Sequence, residues 1–262
     1  MDLKVILLWV FIIIILYFII SYLFGSGTSN LSSSVLNAQT MVQIPATSLG
    51  SNGSSSNFAY SLWFNVSDWN YKYGEYKVLF GRMGQPSSQA GTAVPGMGGL
   101  DPCPVVVLDA YENTAIIHVG CYPSSVNTPQ PTADVSGLVS KSSVTSCNVS
   151  NIPIQKWVNL IVSVYGRSLD VYINGKLVKT CLLPGVAMVN GNSDVFLTPS
   201  GGFSGYTSKF QYFPNAIDPQ YAWNIYENGY GPGILGNIFG SYSFKYSLIN
   251  NSNGNTIING NI

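Results

Sequence analysis

The hydrophobic pattern opens with a block. From Val5 to Phe24 nearly every position is apolar and none is charged. Twenty helical residues at 1.5 Å rise cover the roughly 30 Å hydrocarbon core of a bilayer, so residues 5–24 predict a transmembrane helix. Trp9 and Tyr22 stand near its ends, where aromatic side chains favour the membrane interface. A cleaved signal peptide would have a shorter apolar stretch closing on small residues, whereas this one closes on Tyr22, Leu23 and Phe24. Lys4 is the only positive charge beside the block, which keeps residues 1–4 cytosolic and sends the rest of the chain to the opposite face. All four cysteines and the Asn-x-Ser sequons at Asn30, Asn52, Asn65, Asn148 and Asn250 lie beyond it, in agreement with that orientation.

After the block the period changes to two. Residues 25–35 are rich in Gly, Ser and Asn and read as a flexible linker. Residues 41–44 predict a short strand. Residues 58–66 alternate, with Phe58, Tyr60, Leu62, Phe64 and Val66 on one face. Strands follow over 76–81, 104–109 and 114–120, and residues 157–165 are apolar enough to be buried on both faces. A Gly166-Arg167 turn leads into 168–173. Asn174-Gly175 then predicts a type I′ hairpin turn into 176–181, because both positions tolerate positive φ. Further strands are expected over 194–198 and 203–213.

One segment departs from alternation. Asp218 suits a helix N-cap, Pro219 the first helical position and Gly229 the residue after the end, with Tyr221 and Ile225 on one face. Tyr242, Phe244, Tyr246 and Leu248 restore the two-residue period, and 250–262 is an Asn/Gly tail expected to be mobile. The reading is an all-β, two-sheet jelly-roll sandwich over 36–249 with one short helix, behind a single membrane span.

The stretch from Trp157 to Gly229 carries a resemblance. A Trp-opened strand, Tyr165-Gly166, the run Leu169 to Val178 ending in Asn174-Gly175, then Phe203-x-Gly205-Tyr206 and Phe210-x-x-Phe213 resemble the concanavalin A-like lectin/glucanase superfamily, in particular its laminin-G-like modules. Residues 58–64 and 78–81 resemble that family's opening strands. The resemblance implies the sandwich fold but leaves activity open, since lectins, glycosidases, adhesion modules and structural domains share it. It also raises calcium as a cofactor, with Asp109, Asp134, Asp170 and Asp194 as candidate ligands by type, although no Asp-x-Asn-x-Asp cluster occurs. The architecture and charge-poor composition resemble the membrane-anchored minor capsid proteins of large DNA viruses.

Only 8% of residues are charged and the net charge is zero, which removes the electrostatic footprint nucleic acid requires. A retaining glycosidase needs two carboxylates about 5–5.5 Å apart, usually from one strand. Glu75, Glu112 and Glu227 are the only glutamates and none has an acidic residue two positions away. His118 is the only histidine, on an apolar strand, and is expected to make a structural hydrogen bond. No catalytic or metal site is predicted.

Chemistry by contact remains. Trp69, Tyr71, Tyr73 and Tyr76 crowd a polar loop and form a candidate surface for a glycan or a protein, the alternative being that they cap one end of the sandwich. The long, nearly uncharged stretches 84–102 and 123–150 suit packing against neighbours. Cys103 and Cys121 flank a predicted hairpin and form one candidate disulfide, leaving Cys147 with Cys181; four reduced thiols are the alternative. The expected function is that of a non-enzymatic, membrane-anchored structural protein whose jelly roll meets protein neighbours, such as a minor capsid component linking shell to bilayer. The alternative is a cell-surface carbohydrate-binding or adhesion module.

Overall fold

The structure is a computed structural model that describes Trp9, residues 11–16, 29–50, 55–82, 102–122 and 143–231, and the backbone of 245–249 and 256–261. Trp9 and residues 11–16 are helical with exposed side chains. Among the described residues no helix is long and apolar enough to cross a membrane. Val5 and Phe24, the ends of the predicted span, lie outside the described residues.

Among the described residues, thirteen strands form two facing antiparallel sheets. The first sheet runs β1 (Ser29–Ser32), β13 (Ser204–Phe213), β4 (Phe58–Asp68), β9 (Val158–Tyr165), β10 (Ser168–Ile173), β11 (Lys176–Leu182), with β2 (Leu36–Asn37) also pairing β13. The second runs β3 (Val42–Ile44), β12 (Val195–Leu197), β5 (Lys77–Arg82), β6 (Val105–Leu108), β7 (Thr114–Cys121), β8 (Ser143–Ser150). The alternating residues of β4, Phe58 to Val66, all enter the core between the sheets beside Phe80, Val106, Leu108, Phe210 and Tyr212. In β9 the two-sided burial has a simple cause. Val158, Leu160, Val162 and Val164 face the core, while Ile161 faces outward beneath a helix, α1 (Pro219–Glu227).

The helix begins as its sequence dictates. The N-cap Asp218 carboxylate accepts from the Tyr221 N–H at 2.7 Å, Pro219 takes the first turn, and Gly229 follows the end at φ 62°. Its buried face, Ala222 and Ile225, lies on Ala59, Ile161, Tyr172 and Phe213 of the first sheet's outer surface. The Asn174-Gly175 turn has φ values of 51° and 73°, as a type I′ hairpin needs. A Cβ on Gly175 would also stand 2.9 Å from Tyr226 Cβ and 3.1 Å from Trp223 Cα, so the helix can lie this close only over glycine.

One disulfide forms, between Cys147 of β8 and Cys181 of β11, with Cα atoms 6.1 Å apart. These are the last strands of their respective sheets, so the bond ties together two edges that would otherwise be open. Lys179 Nζ, donating to the Asn148 carbonyl at 2.7 Å, adds a second link across them. The expected Cys103–Cys121 bond is corrected: both cysteines are buried and neither is in a disulfide. Val105 pairs with His118, so the same register carried outward sets Cys103 opposite Gly120 and one residue out of step with Cys121.

Three further expectations change. Residues 29–32 of the predicted linker are strand β1, paired with β13 from Ser29↔Tyr212 to Ser32↔Phe210. Backbone hydrogen bonds recruit this polar segment to the sheet without any hydrophobic pattern, and Gln211 Nε2 donates to Asn30 Oδ1 at 2.9 Å. Residues 143–150 of the predicted long loop are β8, in ladder with β7. Residues 245–249 and 256–261, divided between a predicted sandwich strand and a mobile tail, instead pair with each other as β14 (Lys245–Ile249) and β15 (Thr256–Asn261) in a two-stranded sheet of their own.

Candidate functional site

Alternation in β4 leaves Ala59, Ser61, Trp63 and Asn65 on the outer side of the first sheet, and Trp63 is the one large side chain among them. It is only 4% exposed, because aromatic residues from two other segments close over it. Tyr226 of α1 stacks at a centroid distance of 5.7 Å and an angle of 16°, and Tyr230 lies at 5.9 Å. Tyr230 stacks in turn on Trp157 at 4.3 Å, and Trp223 packs on Tyr226 at 5.5 Å. Five aromatic rings contributed by three stretches of chain thus form one continuous surface, of which Tyr230, at 41%, and Trp223, at 36%, are exposed.

Beside this surface, between α1 and the β1–β13 edge, runs a groove of about 360 Å³. Trp63, Phe213, Tyr221 and Ile225 supply its apolar lining, and Asn30, Ser33, Gln211, Asn224, Asn228 and Lys209 its polar lining. Lys209 takes φ +43° where the β13–β4 register shifts, and its ammonium donates to the carbonyls of Asn228 (2.9 Å) and Gly229 (2.7 Å). There it compensates the negative end of the helix, while burial lowers its pKa below the usual lysine value. The Trp63 indole N–H and Asn159 Oδ1, on residues paired across β4 and β9, are buried without hydrogen-bond partners.

The loop expected to form the contact surface divides. Trp69 is half-buried against the core, with Lys77 Nζ 4.7 Å from its ring centroid. The Lys77 side chain is sealed from solvent, and burial lowers its pKa. The Tyr71 hydroxyl donates to the Gly201 carbonyl at 3.2 Å. Tyr73 is 61% exposed, edge-on to the equally exposed Tyr111 at 5.7 Å, and Tyr76 is 37% exposed. The first two tie the loop down, and the last two face solvent.

The aspartates raised for calcium are occupied locally. Asp109 accepts from the Tyr111 and Glu112 amides, Asp170 from Thr180 Oγ1 at 2.6 Å, and Asp194 from Gln43 Nε2 and the Ala46 amide. Asp134 lies outside the described residues. No group of three His, Cys, Asp or Glu side chains converges among the described residues. His118 makes its structural hydrogen bond with Ser146, Nδ1 to Oγ 2.9 Å, and burial pushes its pKa down to about 4. Glu75 pairs at the surface with Lys72 at 3.9 Å.

No family model and no curated protein matches the chain. Solved structures do. The binding domain of botulinum neurotoxin DC in complex with SialylT matches at 12% identity and TM-score 0.48, over 75% of this chain and 45% of that one. A structure titled "Cell entry of botulinum neurotoxin type C is dependent upon interaction with two ganglioside molecules" matches at 14% identity and TM-score 0.47, over 76% and 46%. The serotype G binding domain matches at 14% and 0.45. The chain spans less than half the length of these chains. At such values the fold assignment stands on the strands and registers of this protein themselves.

Sequence reasoning missed the five-ring surface and the groove, because their residues come from positions 30–33, 63, 157, 209–213 and 221–230. One signal was present. Trp63 is the only bulky residue on the otherwise small or polar half of an alternating strand, and such a side chain needs something to cover it.

Proposed function

We propose that this protein is a membrane-tethered recognition module of concanavalin A-like type, acting by contact through the helix-covered face of its first sheet. The observation that carries the reading is the joined set of Trp157, Tyr230, Trp63, Tyr226 and Trp223. Aromatic residues anchor interfaces because they bury large area for little lost rotamer entropy, and here the ring beneath is fixed while the outer rings remain exposed. The apolar block at residues 5–24 supplies the tether, and tethering raises local concentration so that modest affinity suffices. In this reading residues 1–4 are cytosolic and the sandwich lies on the opposite face of the membrane.

A second reading, contact with copies or neighbours in a protein shell, is favoured by edge strand β11. There Leu177 and Val178 are each 48% exposed and Leu182 is 76% exposed. A photo-crosslinking residue in the full chain in native membranes, placed at Tyr230, Leu182 or Tyr165, separates the readings. Adducts from Tyr230 alone support recognition through the aromatic face, adducts from Leu182 alone support the shell reading, and adducts from neither position overturn both. Protection of the whole 29–231 region from protease in sealed vesicles, or its digestion as a block, tests the tether.

A further inference from the structure

We propose that the end of the sandwich carrying Tyr165, Arg167 and Leu182 rests in the headgroup layer of the bilayer and holds the five-ring surface clear of the membrane. This contact rests on the tethered reading above, and it is made by the folded domain rather than by the span.

Register locates the tether. Ser29 pairs with Tyr212, Tyr212 with Tyr60, Tyr60 with Val162, Val162 with Val171 and Val171 with Lys179, one row across the first sheet. From Ser29 to Asn30 the partner on β13 falls from Tyr212 to Gln211, so β1 directs the chain before Ser29 towards the end where Phe213 lies. The last paired row at that end is Tyr165, Ser168 and Leu182, three residues beyond the row of Ser29. Three strand residues cover about 10 Å. Phe24, where the apolar block closes, is five residues before Ser29, at most about 18 Å along a fully extended chain. With the strands near the bilayer normal, the row of Tyr165 and Leu182 stands no more than about 8 Å above the hydrocarbon, the depth of one headgroup layer.

The side chains at this end suit that layer. Leu182 is 76% exposed, Tyr165 70%, Tyr122 53% and Val186 41%. The Tyr122 N–H donates to the Val186 carbonyl at 2.9 Å. Cys121 pairs with Ser143 of β8, and the Cys147–Cys181 bond fixes β8 beside β11, which brings Tyr122 to the end that carries Leu182. Tyrosine favours the membrane interface because its ring is apolar and its hydroxyl is wet. Arg167, exposed in the turn between Tyr165 and Ser168, can lay its stem along apolar surface and present its charge to phosphate. It is the only charged residue in 165–168 and 182–187, so no carboxylate there opposes the contact. Tilting the domain would exchange this end for the β1 edge, where the exposed side chains of Asn30, Ser33 and Ser34 are polar. Residues 83–101 and 123–142, outside the described residues, form no part of the contact.

The consequence is an orientation. Trp63 pairs with Asn159, six residues from Tyr165 along β9, about 20 Å away. The five-ring surface is thereby lifted to the aqueous side, where a partner can reach it.

The test uses the full chain, one copy per phosphatidylcholine nanodisc, with tyrosine oxidation by hydroxyl radicals read by mass spectrometry. Tyr165 at 70%, Tyr111 at 65% and Tyr73 at 61% are matched in exposure, and the last two lie at the opposite end of the sandwich, beyond Asp68 of β4 and Leu108 of β6. Tyr165 is expected to react at least threefold more slowly than Tyr111 and Tyr73. A photo-crosslinking residue at Leu182 should give phosphatidylcholine adducts, and one at Lys176, at the far end of β11, at least fivefold fewer. Leu182→Asp, an exposed change, should bring the Tyr165 rate back towards that of Tyr111; should that variant fail to fold, the tyrosine rates of the unsubstituted chain decide. Equal rates at the three tyrosines, or lipid adducts as frequent from Lys176 as from Leu182, overturn the proposal, and a chain that nevertheless stays in the disc leaves the tether standing. A chain that does not stay in the disc overturns both. Chain-to-chain adducts from Leu182 in discs holding two copies, without lipid adducts, would give this end to a protein neighbour and overturn the proposal as well.

Discussion

Two regions of this protein are rich in aromatic residues, and they use them in opposite ways. In the loop between β4 and β5, Trp69, Tyr71, Tyr73 and Tyr76 are close in sequence, yet each finds a different partner: Lys77, the Gly201 carbonyl, Tyr111 and solvent. On the outer face of the first sheet, Trp63, Trp157, Trp223, Tyr226 and Tyr230 are far apart in sequence and packed as one surface. Proximity in the chain made the loop conspicuous. Assembly in three dimensions made the sheet face continuous, and a binding surface requires continuity.

The sharpest way to break this comparison is Trp63→Ala. A ring that is 4% exposed and stacked between two others is expected to cost about 3–5 kcal/mol when removed, measured by denaturant unfolding of the full chain in detergent. A loss below 1 kcal/mol would show that the five rings do not act together. Second in size is Cys147→Ser with Cys181→Ser. The bond closes a separation of 34 residues, so opening it is expected to cost about 4 kcal/mol. Because β11 leads back to Gly175 beneath Trp223 and Tyr226, amide hydrogen exchange should quicken at β10, β11 and α1 and stay constant at residues 68–76.

How far the sequence reached follows the same division. Strand β4 was legible because its large apolar residues, Trp63 excepted, all fall on the side facing the core between the sheets. The other side carries Ala59, Ser61 and Asn65, and alternation records that contrast. The Asn174-Gly175 turn and the Asp218 cap were legible because backbone geometry restricts those positions to few residue types. Strand β1 and strand β8 were not. Asn30 and Ser32 join the sheet through backbone groups that every residue carries, and β8 (SVTSCNVS) is an edge strand with polar residues at five of its eight positions. The pairing of Cys147 with Cys181 could be reached only by elimination, and that elimination used a Cys103–Cys121 bond the register does not form. The groove had no local signature, since Asn30, Trp63, Gln211 and Asn224 meet only through β-pairing and the docking of α1.

A third change separates both regions from the second sheet. His118 has its pKa lowered from 6.5 to about 4 by burial, so the unfolded chain binds a proton that the folded one refuses between those values. The resulting stability is complete above pH 6.5 and is lost as pH falls toward 4, by at most about 3 kcal/mol for this shift. Unfolding free energies between pH 7 and pH 4 should show that slope, and His118→Gln should flatten it. Aromatic signals from Trp63 and Trp69 should vanish together over this range. If the loop lost its signal first, the two regions would not share one cooperative unit.

Within the loop, Trp69→Ala is expected to cost about 2 kcal/mol, from lost burial and from the cation–π contact with Lys77. It should also open Lys77 to water, so that the lysine pKa rises back toward its ordinary value. Acetylation of Lys77 at pH 8, read by mass spectrometry, should then respond to the newly exposed amine. A variant that stayed as stable as the parent would make Trp69 a surface residue after all and return it to the candidate contact set.

The smallest expected effect discriminates best. Tyr73 is 61% exposed and its one aromatic partner, Tyr111, is exposed as well, so Tyr73→Ala should change stability by no more than about 0.5 kcal/mol. With folding untouched, any change in binding belongs to the side chain itself. Crosslinking from Tyr230 in native membranes should then proceed as in the parent chain, because the loop contributes no ring to the five-ring surface. Trp223→Ala provides the counterpart: Trp223 is 36% exposed and packs on Tyr226, so its loss should weaken the partner at least tenfold while the core beneath remains closed. If Tyr73→Ala abolished the crosslink and Trp223→Ala did not, contact would lie with the residues clustered in sequence, and the continuous sheet face would serve only to seat the helix.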